Sequence, residues 1–462
     1  MQASHSARAV SVRFDDPNLV SCAGLVPVMR LAEQAGLPDL AQQTVKLSPG
    51  VGSAGANAGA KVSSIVAGMA CGADSIEDLG VIRHGGMPRL FDGLRAPSTL
   101  GTFLRGFTYG HVAQLEKLGT EVLTRLAARC PLLPGAGDLV FVDIDSKIKE
   151  VYGLAKQGAA YGYTKVRGLN YLAATISTPQ AAPVIAATRI RGGNANSPRG
   201  AASLITSAIA TARACGATGM IVARGDSAFF AGPVIAAIRT AGACFSVTAK
   251  HTAKVQAAIA GISDHAWQPI QLSRPVFDET IKEWIHEAEI AETTLTAFTN
   301  VTQNPGRAVT ARLIVRRTRI TTRDATGELF PVWCYHSVFT DSPHDMLTAE
   351  AEHRGRAGTI EQVFADLNDS AAAHLPSGQL AANGAWLSLA ALTHNLIRAA
   401  GCLASLFHAK ARTATLRRHL ITIPARIAHS ARKTMLHLPT GWTWAEAFTS
   451  LFTKTHSPPA AA

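Results

Sequence analysis

The chain has 462 residues, 47% hydrophobic and only 16% charged, enough for about three domains with a sizeable core, and this excludes an intrinsically disordered chain. Lys and Arg outnumber Asp and Glu by 44 to 32, a net charge of +12, which suits either a polyanion partner such as nucleic acid or a basic protein with none. The seven cysteines (Cys22, Cys71, Cys130, Cys215, Cys244, Cys334 and Cys402) form no C-x-x-C pair, so neither a disulfide framework nor a zinc ribbon is expected, and a reducing cytosol fits.

The first residues, MQASHSARAVSVRFDD, lack the apolar run of a signal peptide, and 1–18 is expected to be a flexible terminus. Residues 19–130 read as helical. LVPVMRLAEQAG (25–36) carries apolar residues at helical spacing and stops at Gly36, and a second helical block covers 62–82. Ser98 is placed to cap a further helix, TLGTFLRGF. Short helices with tight turns suit a helix-turn-helix-like DNA reader or a plain helical bundle. PLLPGAG (131–137) is a boundary.

The middle changes character. LVFVDID (139–145) has the apolar, β-branched look of a buried strand. Thr175–Thr188 is strand material, 201–216 a helix closed by Gly, MIVARGD (220–226) a buried strand ending in an acid, 227–242 another helix, and CFSVTA (244–249) a third buried strand. Alternating strands and helices predict an α/β fold. Residues 265–340 revert to strand patterns: TLTAF, AVTARLIVRRTRI with Arg312, Arg316, Arg317 and Arg319, and LFPVWCYHSVF, with Arg323 between the last two.

From Met346 the pattern is helical, with Ile360, Val363, Phe364 and Leu367 on one apolar face. Leu380 to Leu406 is the longest apolar stretch, but Asn383, His394, Asn395 and Arg398 interrupt it, so it reads as a buried helix rather than a membrane span. Residues 370–445 contain no Asp or Glu and hold Arg398, Lys410, Arg412, Arg417, Arg418, Arg426, Arg432 and Lys433. Such a segment is either a phosphate-binding footprint or a solvated basic face. The tail SPPAAA is expected to be disordered. Trp442 and Trp444 suit core packing of a terminal helix or stacking on a base.

Two acids close predicted buried strands: Asp145, with Asp143 beside it, and Asp226. Strand ends in open α/β sheets are where sites form. A third, Glu361, lies on a late helix. Three converging carboxylates can hold Mg²⁺, which takes hard oxygen ligands and drives phosphoryl transfer in pairs; separately, each is a strand-end cap or a surface charge.

Five blocks connect these acids: residues 139–175, RIRGGNANSPRGA (189–201), MIVARGDSAFF (220–230), 353–401 beginning HRGRAGTIEQVF, and 415–439. Through them the chain, from about residue 11 to residue 451, resembles DDE transposases of bacterial insertion sequence family 1380. The resemblance implies an RNase H-like catalytic core with a β-rich insertion, flanked by a helical N-terminal DNA-binding domain and a helical basic C-terminal region. The corresponding divisions are 19–130 for the DNA-binding domain, 138–250 and 341–401 for the core, 251–340 for the insertion and 402–462 for the basic region.

The resemblance further implies that Asp145, which precedes Ser146 as the family's first Asp precedes Ser or Thr, Asp226 in R-G-D-S, and Glu361 in I-E-Q-V are catalytic and bind Mg²⁺ or Mn²⁺. The gap between Asp226 and Glu361 is where similar transposases carry their insertion, and one of its aromatics stacks on a flipped base, which makes Trp333 a candidate. His353 stands where the family has Tyr, Arg356 is kept with one more residue before Glu361, and Asn368 replaces a common Lys. Arg356, Arg224, His353, Arg316, Arg317, Arg417 and Arg418 are the candidate DNA contacts, Arg being suited to grip phosphate oxygens in pairs. The implied partners are the element's inverted-repeat ends and target DNA, bound by a homodimer in a synaptic complex, at the bacterial nucleoid in the cytoplasm. The alternatives are an RNase H-like nuclease without strand transfer and a non-catalytic DNA-binding copy.

Overall fold

A computed structural model of the chain describes residues 9–47, 55–300, 308–323, 327–430 and 433–457. The chain begins with a two-residue strand, β1 (Leu19–Val20), and then α1 (Leu25–Gln34), α2 (Leu37–Thr44), α3 (Ala58–Ala70), α4 (Met87–Leu90), α5 (Pro97–Arg105) and α6 (Tyr109–Arg129). The block expected as one helix over 62–82 is broken: α3 ends at Ala70, and a 3-10 turn resumes at Glu77–Arg83. Ser98 is not a cap. The helix starts at Pro97, with Ala96 in extended conformation at the N-cap, because proline's fixed φ suits the first turn.

Next come β2 (Leu139–Glu150), β3 (Ala160–Tyr161), β4 (Arg167–Ser177), β5 (Val184–Gly192), α7 (Ala201–Ala214), β6 (Met220–Gly225), α8 (Gly232–Thr240) and β7 (Cys244–Thr248). In the sheet β5, β4, β2, β6 and β7 are successive neighbours; β4 is antiparallel to β2 and to β5, whereas β2, β6 and β7 are parallel. Parallel strands need crossovers, and α7 and α8 supply them. Helices then cover the sheet, which explains why Val140, Phe141, Val142 and Ile144 are all buried rather than alternately so.

After α9 (Ala253–Ala260), the strands β8 (Gln268–Asp278), β9 (Glu283–Ala297), β10 (Val309–Arg323) and β11 (Leu329–Thr340) form an antiparallel meander. It continues the same sheet, since β11 pairs with β7 at Val338 to Thr340.

The remaining elements are α10 (Met346–Asn368), α11 (Leu380–Ala404), α12 (Leu406–Lys410), α13 (Thr413–Leu416), β12 (Ala425–Ser430), β13 (Lys433–His437) and α14 (Ala445–His456). Asp345 caps α10 by accepting from Thr348 N at 3.0 Å. By length and composition α11 could cross a membrane, but 94% of its most apolar window is buried inside the protein. It is wrapped by α3, α5, α6, α14 and β5, and its polar residues bond to buried backbone: Asn395 accepts from Ile185 N and donates to Ile185 O, both at 2.8 Å.

The C-terminal region is not wholly helical as expected. β12 and β13 form a hairpin that pairs with β1, driven by the period-two burial of Ala425 and Ile427. Part of the basic footprint over 370–445 is paired within the protein. Arg398 donates to the carbonyls of Ala409 and Ala411, Arg412 bonds Asp366 and Asp369, and Arg426 pairs with Asp16. The acids missing from the segment arrive from elsewhere in the chain. Lys410, Arg418 and Lys433 are exposed, while Arg432 and most of the SPPAAA tail lie outside the described residues.

Candidate active site

Successive side chains on a strand point to opposite faces, so Asp143, Asp145, Lys147 and Lys149 share one face of β2. That face is covered by α10, which runs alongside in the same direction. Arg224 donates to both Asp143 and the Glu352 carbonyl. Further along, Arg356 reaches Asp145, Lys147 lies 5.9 Å over the Phe364 ring, and Lys149 Nζ is 3.4 Å from Asn368 Oδ1. The apolar stripe Ile360, Val363, Phe364 and Leu367 is buried beneath the helix.

Asp145 does not end its strand, since β2 continues to Glu150. Asp226 does follow the last residue of β6. Ile144 is in register with Gly225, so the two aspartates come next on neighbouring parallel strands, which lie about 4.8 Å apart. Asp226 accepts from Ala228 N at 2.9 Å and so caps a short 3-10 turn. Asp145 Oδ1 accepts from Ser146 N at 2.6 Å, and its Oδ2 lies 3.3 Å from Arg356 Nη1. Burial raises the Asp145 pKa; Arg356 and the Ser146 N–H oppose the rise and the neighbouring Asp226 adds to it, with a net upward shift.

Glu361 is exposed on α10, on the helix edge that carries Asn368. Among the described residues, no group of three His, Cys, Asp or Glu side chains is arranged to hold a metal. The structure therefore brings two of the three expected acids to neighbouring strand positions, and the third stands exposed on the covering helix.

Several expected DNA contacts are engaged inside the protein. Arg224 is buried, bidentate on the fully buried Asp143, with its guanidinium 3.8 Å over the Phe141 ring; the pair holds β2 to β6 and leaves no edge for a phosphate. His353 is buried too, with Ser246 Oγ at 2.9 Å from Nδ1 and Thr248 Oγ1 at 2.9 Å from Nε2. Burial, with Arg356 and Arg224 nearby, lowers its pKa to about 3, so it is a neutral tie between α10 and β7 rather than a surface cation.

Arg316 pairs with the buried Glu350 at 3.0 Å, and Arg354 shares that acid at 3.3 Å. Arg317 bonds Glu289 at 2.6 Å and is sandwiched between Trp267 and Trp333, 4.0 and 4.3 Å from their ring centres. One face of Trp333 is thereby occupied. Arg417 donates to the Ala70 carbonyl at 3.2 Å. Arg418 is exposed, and Arg356 is the one basic candidate placed against a candidate catalytic acid.

Sequence reasoning missed the Asp143–Arg224 pair and the hydroxyls of Ser246 and Thr248. The signal for the first was present: D-x-D on one strand and R-x-D on the other put Asp143 and Arg224 on the same face as the two candidate acids.

The family model described as transposase DDE domain, group 1, matches residues 2–458. No curated protein matches the chain.

Proposed function

Matched over residues 2–458, the chain belongs to the transposase DDE domain family, group 1, and from that premise we propose that it is the transposase of a bacterial insertion sequence of family 1380, built on an RNase H-like core. It binds the element's ends, cuts the DNA and joins the free 3′-OH ends to a target, acting as a dimer that holds both ends. The observation that carries this reading is the juxtaposition of Asp145 and Asp226 on neighbouring parallel strands, beneath a helix whose Arg356 touches the first. The strand order β5-β4-β2-β6-β7 supports it further: the first acid lies on the first strand and the second directly after the fourth full-length strand.

Asp145, Asp226 and Glu361 would hold a hard divalent cation, Mg²⁺ or Mn²⁺, carboxylate oxygens being the ligands such ions take. When bound, such ions activate the attacking oxygen and offset charge on the phosphate. The chain's own residues do the positioning. Arg356 keeps Asp145 aligned and is free to transfer to a phosphate oxygen. Asp226 is fixed by the Ala228 N–H, and the Asp143–Arg224 pair fixes the spacing of the two strands. The helices over 19–130 read the ends and Arg418 holds backbone.

The exposure of Glu361, which belongs to no three-ligand group among the described residues, favours a second reading, a DNA-binding copy that does not cut. Incubation of the full-length chain and Mg²⁺ with labelled DNA from the flanks of its own gene separates the two. Cut and joined products are expected. Cutting without joining leaves a nuclease, and binding without either makes the second reading correct.

A further inference from the structure

We propose that the tyrosine-bearing segment between β2 and β4 is a platform for unpaired DNA bases, reached from the carboxylates along a lysine-lined cleft. The inference rests on the reading of this chain as a DNA-acting protein, and it assigns a role to a segment that the proposed chemistry does not use.

Four large side chains in this segment stand in solvent: Tyr152 is 84% exposed, Leu154 93%, Tyr161 68% and Tyr163 82%. The backbone that carries them is tied at several points. Tyr161 on β3 is in register with Arg167 on β4. The Arg167 guanidinium donates to the carbonyls of Val151, Gly153 and Leu154 at 3.3, 3.0 and 2.9 Å, so it ties the Tyr152 loop to the strand that holds Tyr161.

Behind them the backbone is packed through glycines. A Cβ at Gly193 would meet the carbonyl oxygens of Gly168 and Ala160 at 2.0 and 2.4 Å, and one at Gly162 would meet that of Gly193 at 2.7 Å. The glycines of two sequence blocks, AAYGYTKVRG and RIRGGNANS, thereby acquire a physical reason. Exposed aromatic rings on a tied backbone gain nothing from the protein's own core, and with two χ angles each they supply contact area at low ordering cost.

The approach to the platform is basic. A cleft of about 570 Å³ on the α10 side of β2 is lined by Lys147, Lys149, Lys156, Tyr152 and Glu150; His374 on its wall pairs with Asp74 at 3.2 Å, Lys156 donates to the Leu375 carbonyl and Lys149 to Asn368, which leaves Lys147 as its least engaged cation. Lys147 is the next residue after Asp145 on the same face, and Glu150 lies about 17 Å from Asp145 along the strand. A cationic groove leading to exposed rings is the arrangement that binds single strands, where the backbone follows the charge and successive bases stack. Bases in an intact duplex already stack on each other, so the rings select unpaired ones.

The test is fluorescence anisotropy of the full-length chain with two labelled probes, oligothymidine of about 20 nucleotides and a blunt mixed-sequence duplex of similar length. Wild type binds oligothymidine. Tyr161→Ala/Tyr163→Ala weakens that binding by about tenfold or more and leaves duplex affinity unchanged. Tyr161→Phe/Tyr163→Phe, which keeps the rings, restores it. Equal binding of oligothymidine by wild type and the alanine variant overturns the proposal. So does a wild type that does not bind oligothymidine, or an alanine variant that changes sedimentation from dimer to monomer and thereby gives the face to a second copy. A chain that cuts and joins its ends but ignores oligothymidine refutes this inference alone. One that binds oligothymidine through the tyrosines but never cuts refutes only the proposed function.

Discussion

Arg224 grips Asp143 through two hydrogen bonds, Nε to Oδ1 at 2.6 Å and Nη2 to Oδ2 at 2.8 Å, with both side chains buried. Removing one partner strands the other charge away from water, which costs about 3–5 kcal/mol. Arg224→Met and Asp143→Asn should each lower stability by that order in urea unfolding. An Arg224→Met protein of unchanged stability but weakened DNA binding would return Arg224 to the phosphate contacts.

Arg356 widens the pH range in which the buried Asp145 is ionised. Burial raises that pKa and Arg356 opposes the rise. If Asp145 holds a cation it must be ionised to do so, and cleavage should then fall as pH drops through its pKa. Arg356→Gln removes the opposing charge, and the acid limb of the cleavage profile should move to higher pH. A limb that stays in place means another group controls it.

His353 makes stability acid-sensitive. Its folded pKa, about 3, lies below the roughly 6.5 of an unfolded histidine. The unfolded chain therefore binds the extra proton first, and stability present above pH 6.5 is lost as pH falls from there towards 3. At pH 5 the loss from this residue is about 2 kcal/mol. His353→Gln, which can still bond Ser246 and Thr248, should show a smaller drop in unfolding free energy between pH 7.5 and 5. Parallel curves for the two proteins would contradict the assignment.

The arginines divide by their surroundings. Arg418→Ala should weaken DNA binding for all sequences and reduce the salt slope by about one counterion. Arg317→Ala should leave DNA binding and its salt dependence alone and reduce stability by about 1–2 kcal/mol through the lost stacking with Trp267 and Trp333. The reverse pattern would show that the tryptophan sandwich opens to admit a phosphate.

The core strands were legible because burial on both faces leaves apolar runs, as in LVFVDID and MIVARGD, although Asp145 lies inside its strand rather than at the end. The buried stripe of α10 was equally plain, since Ile360, Val363, Phe364 and Leu367 follow the helical repeat. The roles of the arginines were not. A run such as 370–445 shows which charges are near in sequence, but Asp366, Asp369 and Asp16 are brought to Arg412 and Arg426 by folding. His353 was misplaced for the same reason: its partners Ser246 and Thr248 sit on a strand remote in sequence. The β12–β13 hairpin was hidden because short strands among basic residues carry little periodic signal.

The most direct test of the central claim is cleavage of labelled element-end DNA with Mg²⁺ by wild type, Asp145→Asn and Asp226→Asn, with binding measured in parallel. If Asp145 and Asp226 form the catalytic centre, both variants bind the ends as wild type does and neither cuts. Cleavage by either variant at the wild-type rate would contradict it.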